Sequence, residues 1–244
     1  MIAKDVPHDV FLMHAKKTAK NIKAVYNILK NTDKKVYGVL HGGIKEQWDL
    51  WWKIAIEPFL DVFYGIAIAV KPVYDIRLMA RMLRYVYQKD IRNVHVFAVS
   101  SLKALPVLVE AKDMFNLLTF DSSTPLLCSK LGEIFNTNVK GCRLTLGRKF
   151  LKKFNNRIDP QFCYCPACIY ARRNNLNIYF PESHMEYILN GLHNLIQYVS
   201  YLNLLTFLKD CNYQLSNFIE LRTETKSAIR LLKRDGIGGL DRWL

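Results

Sequence analysis

Three cysteines stand close together as a C-x-C-x-x-C run at Cys163, Cys165 and Cys168, and His193 follows 25 residues after the last of them. Three thiols and one imidazole make a four-ligand set of the kind that Zn²⁺ takes in tetrahedral geometry, and a Cys₃His set leaves no open position for chemistry. The expected role of the metal is therefore structural. It ties a knuckle to a helix, and its binding free energy becomes folding free energy. The other reading is three buried thiols and a core histidine. It ranks below the metal because close-spaced cysteines in a chain without a secretion signal usually bind metal. His184 also lies downstream and competes with His193 for the fourth position.

A second set of reactive groups falls where short apolar runs end. Asp121 follows Leu117-Leu118-Thr119-Phe120 and opens Asp121-Ser122-Ser123-Thr124-Pro125. A carboxylate held at a strand end in a pocket can attack an electrophilic carbon and form a covalent intermediate. The same five residues also make ordinary turn chemistry, with Asp121 as a turn cap. His41-Gly42-Gly43 follows the run ending at Leu40, and reads equally as a binding loop or as a tight turn whose glycines serve backbone geometry. Asp5 lies near the N-terminus, where a plain surface acid is the first expectation. Ser100-Ser101 reads as a helix cap for the segment starting at Leu102.

These groups need elements to position them. Four β-rich apolar runs, Val36–Leu40, Val62–Ala69, Val94–Val99 and Phe115–Phe120, alternate with segments of helical period. Those segments are roughly Phe11–Lys30, Ile44–Pro58, Tyr74–Gln88 and Leu102–Lys112. In one of them Ile76, Met79, Ala80, Met82 and Leu83 mark an apolar helical face. Strand and helix alternating without hairpin signals predict a parallel α/β sheet or a (β/α) barrel of the TIM type. The short piece around Asp5 brings the expected strand count to about five. Reactive groups of such barrels sit at the C-terminal strand ends.

The pattern changes at Asp121. Between Ser129 and Arg157 eight Lys or Arg, Lys140, Arg143, Arg148, Lys149, Lys152 and Lys153 among them, face one acid, Glu133. The cysteine knuckle follows. Pro181-Glu182-Ser183 then reads as a helix start, continued by Met185, Ile188, Leu189, Leu192, Leu195, Ile196, Val199 and Leu202 at helical spacing. A second helix is expected from about Tyr213 to Leu232. The chain thus divides into a partial barrel (1–120), a basic insertion with the knuckle (121–180) and C-terminal helices that complete the metal site (181–244).

The sequence has 244 residues, half of them hydrophobic, enough for a substantial core. Its net charge of +14 favours a polyanionic partner, most simply nucleic acid. The apolar run Val62–Val70 is too short to span a bilayer, and Cys128, Cys142 and Cys211 show no paired spacing. A reducing cytoplasm is the expected compartment.

Taken in this order, the motifs resemble those of the tRNA-guanine transglycosylase family, including its members that insert 7-deazaguanines into DNA. Cys163-x-Cys165-x-x-Cys168 with Leu192-His193-Asn194 resembles the family's zinc signature. Asp113-Met114-Phe115 through Phe120-Asp121-Ser122-Ser123 resembles the stretch that carries its nucleophilic aspartate, which places that role on Asp121. His95 to Ser101 resembles the strand before it. Gly38-Val39-Leu40-His41-Gly42-Gly43 resembles the base-binding loop, Asp5-Val6-Pro7 the segment with a base-recognising aspartate, and Gly65–Ala69 another pocket strand. The resemblance implies a zinc-bearing (β/α)₈ barrel that exchanges guanine for a 7-deazaguanine base through a covalent Asp121 intermediate. Asp5, His41, Gly42, Gly43 and Ala69 would hold the base, and the basic stretch would hold the DNA or tRNA backbone. The chain departs from the family pattern in four ways. The early strands and the general acid/base aspartate have no counterpart, His41 stands for a glutamine, and Ala69 stands for a glycine. A partner polypeptide or second protomer completing the barrel is therefore expected, with DNA favoured over tRNA.

Overall fold

The computed structural model describes residues 6–69, 75–99, 101–131, 134–135, 163–178, 181–217, 221 and 223–233. The apolar runs form strands β1 (Tyr37–Leu40), β2 (Gly65–Ile68), β3 (Asn93–Val96) and β4 (Leu117–Phe120). They lie side by side in chain order, all parallel. Such neighbours need a crossover connection between them, which the helical segments supply. Helix α1 (His8–Leu29) precedes β1, α2 (Lys45–Trp51) follows it, α3 (Ile76–Gln88) precedes β3, and α4 (Leu105–Ala111) precedes β4. The structure is thus mixed α/β and mostly helical, around a four-stranded parallel sheet. Four strands in chain order are what a (β/α) barrel contains, but closure into a barrel is not seen among the described residues. The fifth strand expected at the N-terminus is not found at Val6 and Pro7, while Asp5 itself lies outside the described residues.

The chain groups into two compact units whose boundaries interleave along the sequence. One comprises 1–99, 110–121 and 223–244, and the other 100–109 and 122–222. In the first, Leu40, Ile66, Ile68, Val94 and Val96 are fully buried, while alternate residues Tyr37, Val39, His95 and Thr119 are half-buried. That alternation is the period-two signature of a sheet with one face packed and the other more open. Gly65 is required by close approach: a Cβ there would stand 2.3 Å from the Asn93 carbonyl oxygen and 2.8 Å from the Tyr37 ring.

Aromatic packing fixes the segment after β1. The segment read as one helix over Ile44–Pro58 runs as α2, a π-helical turn (Trp52–Ile56) and a 3₁₀ turn (Glu57–Phe59). Trp48, Trp51 and Trp52 are all buried there, with Trp51 5.3 Å from Phe11 and Trp48 5.5 Å from Tyr85 between ring centres. Asp75 caps α3 by accepting from the Arg77 and Leu78 amides, as Asp does at helix N-termini. The last helix, α8 (Thr223–Lys233), packs on α3 within this unit. The buried Arg84 guanidinium donates to the carbonyl oxygens of Leu231 and Leu232 at 3.1 and 3.3 Å, placing a cation on the negative end of the helix dipole.

The second unit is helical. Helix α5 (Thr124–Lys130) and α6 (Pro166–Arg173) both pack on the long α7 (His184–Asp210). Ser183 and Glu186 form the capping box that starts α7, the Ser-x-x-Glu pattern satisfying two orphan amides reciprocally. The continuous helix expected over Tyr213–Leu232 is instead a 3₁₀ turn (Leu215–Asn217) and the separate α8. Of the C-terminal helices only α7 supplies a ligand to the metal cluster; α8 belongs with the sheet. No helix among the described residues is long and apolar enough to cross a membrane.

Candidate metal centre and carboxylate edge

The knuckle is assembled by one loop and two helices. Cys165 is the N-cap of α6, and its sulfur accepts from the Cys168 amide. Pro166 sits in the first turn, where its missing N–H costs nothing. One turn of helix therefore brings Cys168 beside Cys165, while Cys163 precedes them in the extended lead-in. His193 comes from the buried face of α7. Its Nδ1 lies 3.7, 3.4 and 3.3 Å from the sulfurs of Cys163, Cys165 and Cys168, and all four ligand atoms lie within 4.8 Å of one another. Bonds of about 2.3 Å to sulfur and about 2.0 Å to nitrogen in a tetrahedron put ligand atoms roughly 3.5–3.8 Å apart. The three nitrogen–sulfur distances match that geometry, and the cluster could hold a metal ion. His184 begins α7, is exposed and takes no part, so the choice between the two histidines falls on His193.

The surroundings complete the set. His193 Nε2 lies 2.6 Å from the Phe135 carbonyl oxygen. A carbonyl only accepts, so the proton sits on Nε2 and the Nδ1 lone pair points at the sulfurs, which is how ligating histidines are oriented. Asn194, fully buried beside it, accepts from the Phe135 amide at 2.7 Å and donates to Asn190 and Pro125. The backbone that presents Phe135 to His193 is thereby fixed. Ile134, Ala167, Cys168, Ala171, Ile178 and Leu189 form an apolar shell around the sulfurs.

Without a metal these groups share protons. Hydrogen bonds with Cys165 and Cys168 hold the Cys163 thiol far below its usual range, and hydrogen bonds with Cys163 and Cys165, together with burial, push Cys168 up. Burial alone would lower His193. Its bonds to Cys163 and Cys165 and the Phe135 carbonyl outweigh burial, raising it to about 9.

The carboxylate site lies along the C-terminal edge of the sheet. Leu40, Ile68, Val96 and Phe120 are paired in register, so His41, Ala69, Phe97 and Asp121 form the next row. Asp121 Oδ1 accepts from the Ala98 amide at 3.0 Å and lies 3.2 Å from His95 Nε2. Ala98 can donate there because its φ is +55°, a left-handed conformation uncommon outside glycine. His95 Nδ1 lies 2.9 Å from Thr119 Oγ1. Among the described residues no hydrogen bond reaches Asp121 Oδ2, and the side chain is 55% exposed. Asp121 thus does more than cap a turn: it is held by its neighbouring strand.

The remaining expected base-pocket residues are only partly brought together. His41 lies just past β1 and Asp121 just past β4, three strand spacings or about 14 Å apart; Ala69 lies between them. The His41 ring packs edge-on against Trp51 at 4.8 Å, and burial lowers its pKa. Gly42 has φ +129° and its carbonyl accepts from Trp48 Nε1. The Gly43 amide is taken by Gln47 Oε1 at 2.7 Å, so that loop spends its polar groups on itself. Asp5, Ser100, Lys140, Arg143, Arg148, Lys149, Lys152 and Lys153 lie outside the described residues.

Sequence reasoning passed over Phe135, Asn190, Thr119 and the part His95 plays. Phe135 acts through its backbone, which has no sequence signal. His95 and Thr119 were accessible, because alternate residues of paired strands share a face. No family model matches this chain, and none of the curated proteins compared with it matches.

Proposed function

We propose that the chain is a nucleic-acid guanine transglycosylase, which exchanges guanine for a 7-deazaguanine base, with DNA favoured over tRNA. The observation that carries this reading is Asp121 itself. It is a carboxylate at the C-terminal edge of a parallel sheet, with one oxygen held by two neighbours and the other without a hydrogen bond among the described residues. The motif resemblance supplies the reaction. Asp121 Oδ2 bonds to C1′ of the target nucleotide while the C1′–N bond breaks and its electron pair leaves with guanine. The incoming deazaguanine nitrogen then attacks C1′, loses its proton and expels the carboxylate. Two inversions give net retention, as in retaining glycosidases. The target base must first leave its stack.

The metal is proposed to be zinc, held by Cys163, Cys165, Cys168 and His193 in a purely structural role. Binding of the phosphate backbone is assigned to the basic residues Lys140 to Lys153 and to the net charge of +14, which makes binding salt-dependent. The leaving guanine also needs a proton. A second protomer or a partner polypeptide that completes a (β/α) barrel is proposed to supply it.

A second reading has its own observation. Among the described residues strands β1 and β4 each have one neighbour, and open edges recruit other chains. On that reading the chain is a non-catalytic, metal-bearing subunit of a complex. Incubation with labelled guanine or a 7-deazaguanine and either DNA or tRNA separates the two. Label uptake and a covalent protein–nucleic acid adduct, both abolished in Asp121→Ala, are expected. No uptake and no adduct with either nucleic acid, even with partner chains added, rejects the enzymatic reading.

A further inference from the structure

We propose that His95 is a positioning residue for Asp121: a neutral imidazole whose Nε2–H is fixed by Asp121 and whose Nδ1 is bonded to Thr119, and which holds Oδ1 and leaves Oδ2 to react. This rests on the reading of Asp121 as nucleophile, but its core is a statement about a proton that can be tested without substrate.

The geometry fixes the donor roles. A carboxylate oxygen only accepts, so the 3.2 Å contact of His95 Nε2 with Asp121 Oδ1 requires the proton on Nε2. In the neutral ring Nδ1 then accepts, and its partner at 2.9 Å is the Thr119 hydroxyl, which can donate. The pairing register makes this possible. His95 and Thr119 are opposite residues of β3 and β4, and Asp121 lies two residues beyond Thr119 on the same side. The ring is 23% exposed. It is held between Phe97, 4.8 Å away, and Tyr37, 6.3 Å away across the sheet. Tyr37 reaches that far because Gly65 has no side chain in its way. The titratable groups around His95 are therefore Asp121 from β4 and Tyr37 from β1. Beyond Tyr37 stand Tyr64, at 5.6 Å, and Lys35, over the Tyr64 ring.

Two donors on one oxygen, His95 and the strained Ala98 amide, set the carboxylate's rotamer. A neutral donor leaves the carboxylate its charge. An imidazolium would pair with it and withdraw electron density from the attacking oxygen. Protonation of His95 should therefore slow attack, giving the formation of the glycosyl–Asp121 bond an acid limb.

Nitrogen-15 NMR of the full-length protein, with His95 assigned through His95→Gln, reads the tautomer directly. The expected result is a single Nε2–H form near neutral pH, giving way to a mixture in Asp121→Ala. An Nδ1–H form or an unbiased mixture in the wild-type protein overturns the proposal. Adduct kinetics give the second readout. His95→Ala should slow adduct formation by about 10–100-fold at every pH, the range expected for one hydrogen bond to a charged group. His95→Gln, which keeps a donor but cannot titrate, should recover the high-pH rate and lose the acid limb. A wild-type pH profile in His95→Gln refutes the positioning role. If no adduct forms with any nucleic acid, the transglycosylase reading fails, while the NMR result still decides the tautomer.

Discussion

The two compact units each carry a cluster of reactive side chains, and the clusters differ in how many of their atoms are left uncommitted. In the second unit Cys163, Cys165, Cys168 and His193 converge on one point, and the outer nitrogen of His193 is bonded to Phe135. The Phe135 backbone is in turn held by Asn194. Among the described residues the four ligand atoms face one another. In the first unit Asp121 has one oxygen gripped and, among the described residues, one without a hydrogen bond, at the exposed end of a strand. A closed set of soft donors suits a structural ion, and an anchored carboxylate with a spare oxygen suits nucleophilic attack. The same residue types would be interchangeable in a composition table. What separates them is the number of protein partners each has.

That contrast breaks most visibly at the metal. Chelation, or Cys168→Ser, is expected to remove the ion and unfold the knuckle, because structural zinc contributes roughly 10–16 kcal/mol in small domains. Metal analysis with near-UV circular dichroism checks it; unchanged spectra after complete metal loss would show that the cluster is only a packed core.

Asp121→Asn is the opposite probe. Base exchange should fall by at least about 10⁴-fold, as when a nucleophile is removed, while metal content stays at the wild-type value. A parallel loss of metal would mean that the substitution acts through the fold.

Gly65→Ala tests the sheet that carries Asp121 and His95. Its Cβ would meet a carbonyl oxygen at 2.3 Å, so strands β2 and β3 must separate. Overpacking typically costs about 1–3 kcal/mol, and a steric conflict with backbone belongs at the upper end. Denaturant unfolding measures it.

The protons of the metal cluster sharpen the contrast through pH. In the metal-free protein His193 is raised to about 9, against about 6.5 in the unfolded chain. Its contribution to stability is therefore full below about 6.5 and is lost as pH rises through about 9. Metal must displace that proton and those of the thiols, so metal affinity runs the other way and rises with pH. Chelator competition between about pH 6 and about 9.5 should show metal affinity rising with pH.

The smallest effect lies at the start of α7. Ser183→Ala should cost about 0.5–2 kcal/mol as a lost N-cap. Glu186 is held down to about 2, chiefly by accepting from the Asn177, Glu182 and Ser183 amides. Its contribution is present above the unfolded value of about 4.3 and is lost as pH falls through about 2. The stability difference between wild type and Glu186→Ala should therefore vanish in acid melts near pH 2.

The parts written in local pattern were readable before any coordinates. Short β-rich apolar runs located β1 to β4, and Pro181-Glu182-Ser183 located the start of α7. The C-x-C-x-x-C spacing located the metal cluster because one helical turn fixes Cys165 beside Cys168. What escaped was long-range. The break between Leu215–Asn217 and Thr223–Lys233 is marked by tertiary packing: α8 leaves the helical unit to lie on α3, where Arg84 caps it. The π-helical turn at Trp52–Ile56 comes from burying three tryptophans, which no periodicity announces. The grip of His95 on Asp121 depends on the β3–β4 register, a pairing of residues 26 apart in sequence. The His41-Gly42-Gly43 loop does follow the strand ending at Leu40, but its Gly43 amide is committed to Gln47.

The most direct test of the central claim is to trap the intermediate. Protein mixed with guanine-containing DNA or tRNA, with candidate partner chains present, is quenched in denaturant, digested and analysed by mass spectrometry. A glycosyl ester on the peptide carrying Asp121, discharged by added 7-deazaguanine and absent from Asp121→Asn, is the predicted result. An intact, unmodified Asp121 peptide under conditions where base exchange is proceeding would contradict it.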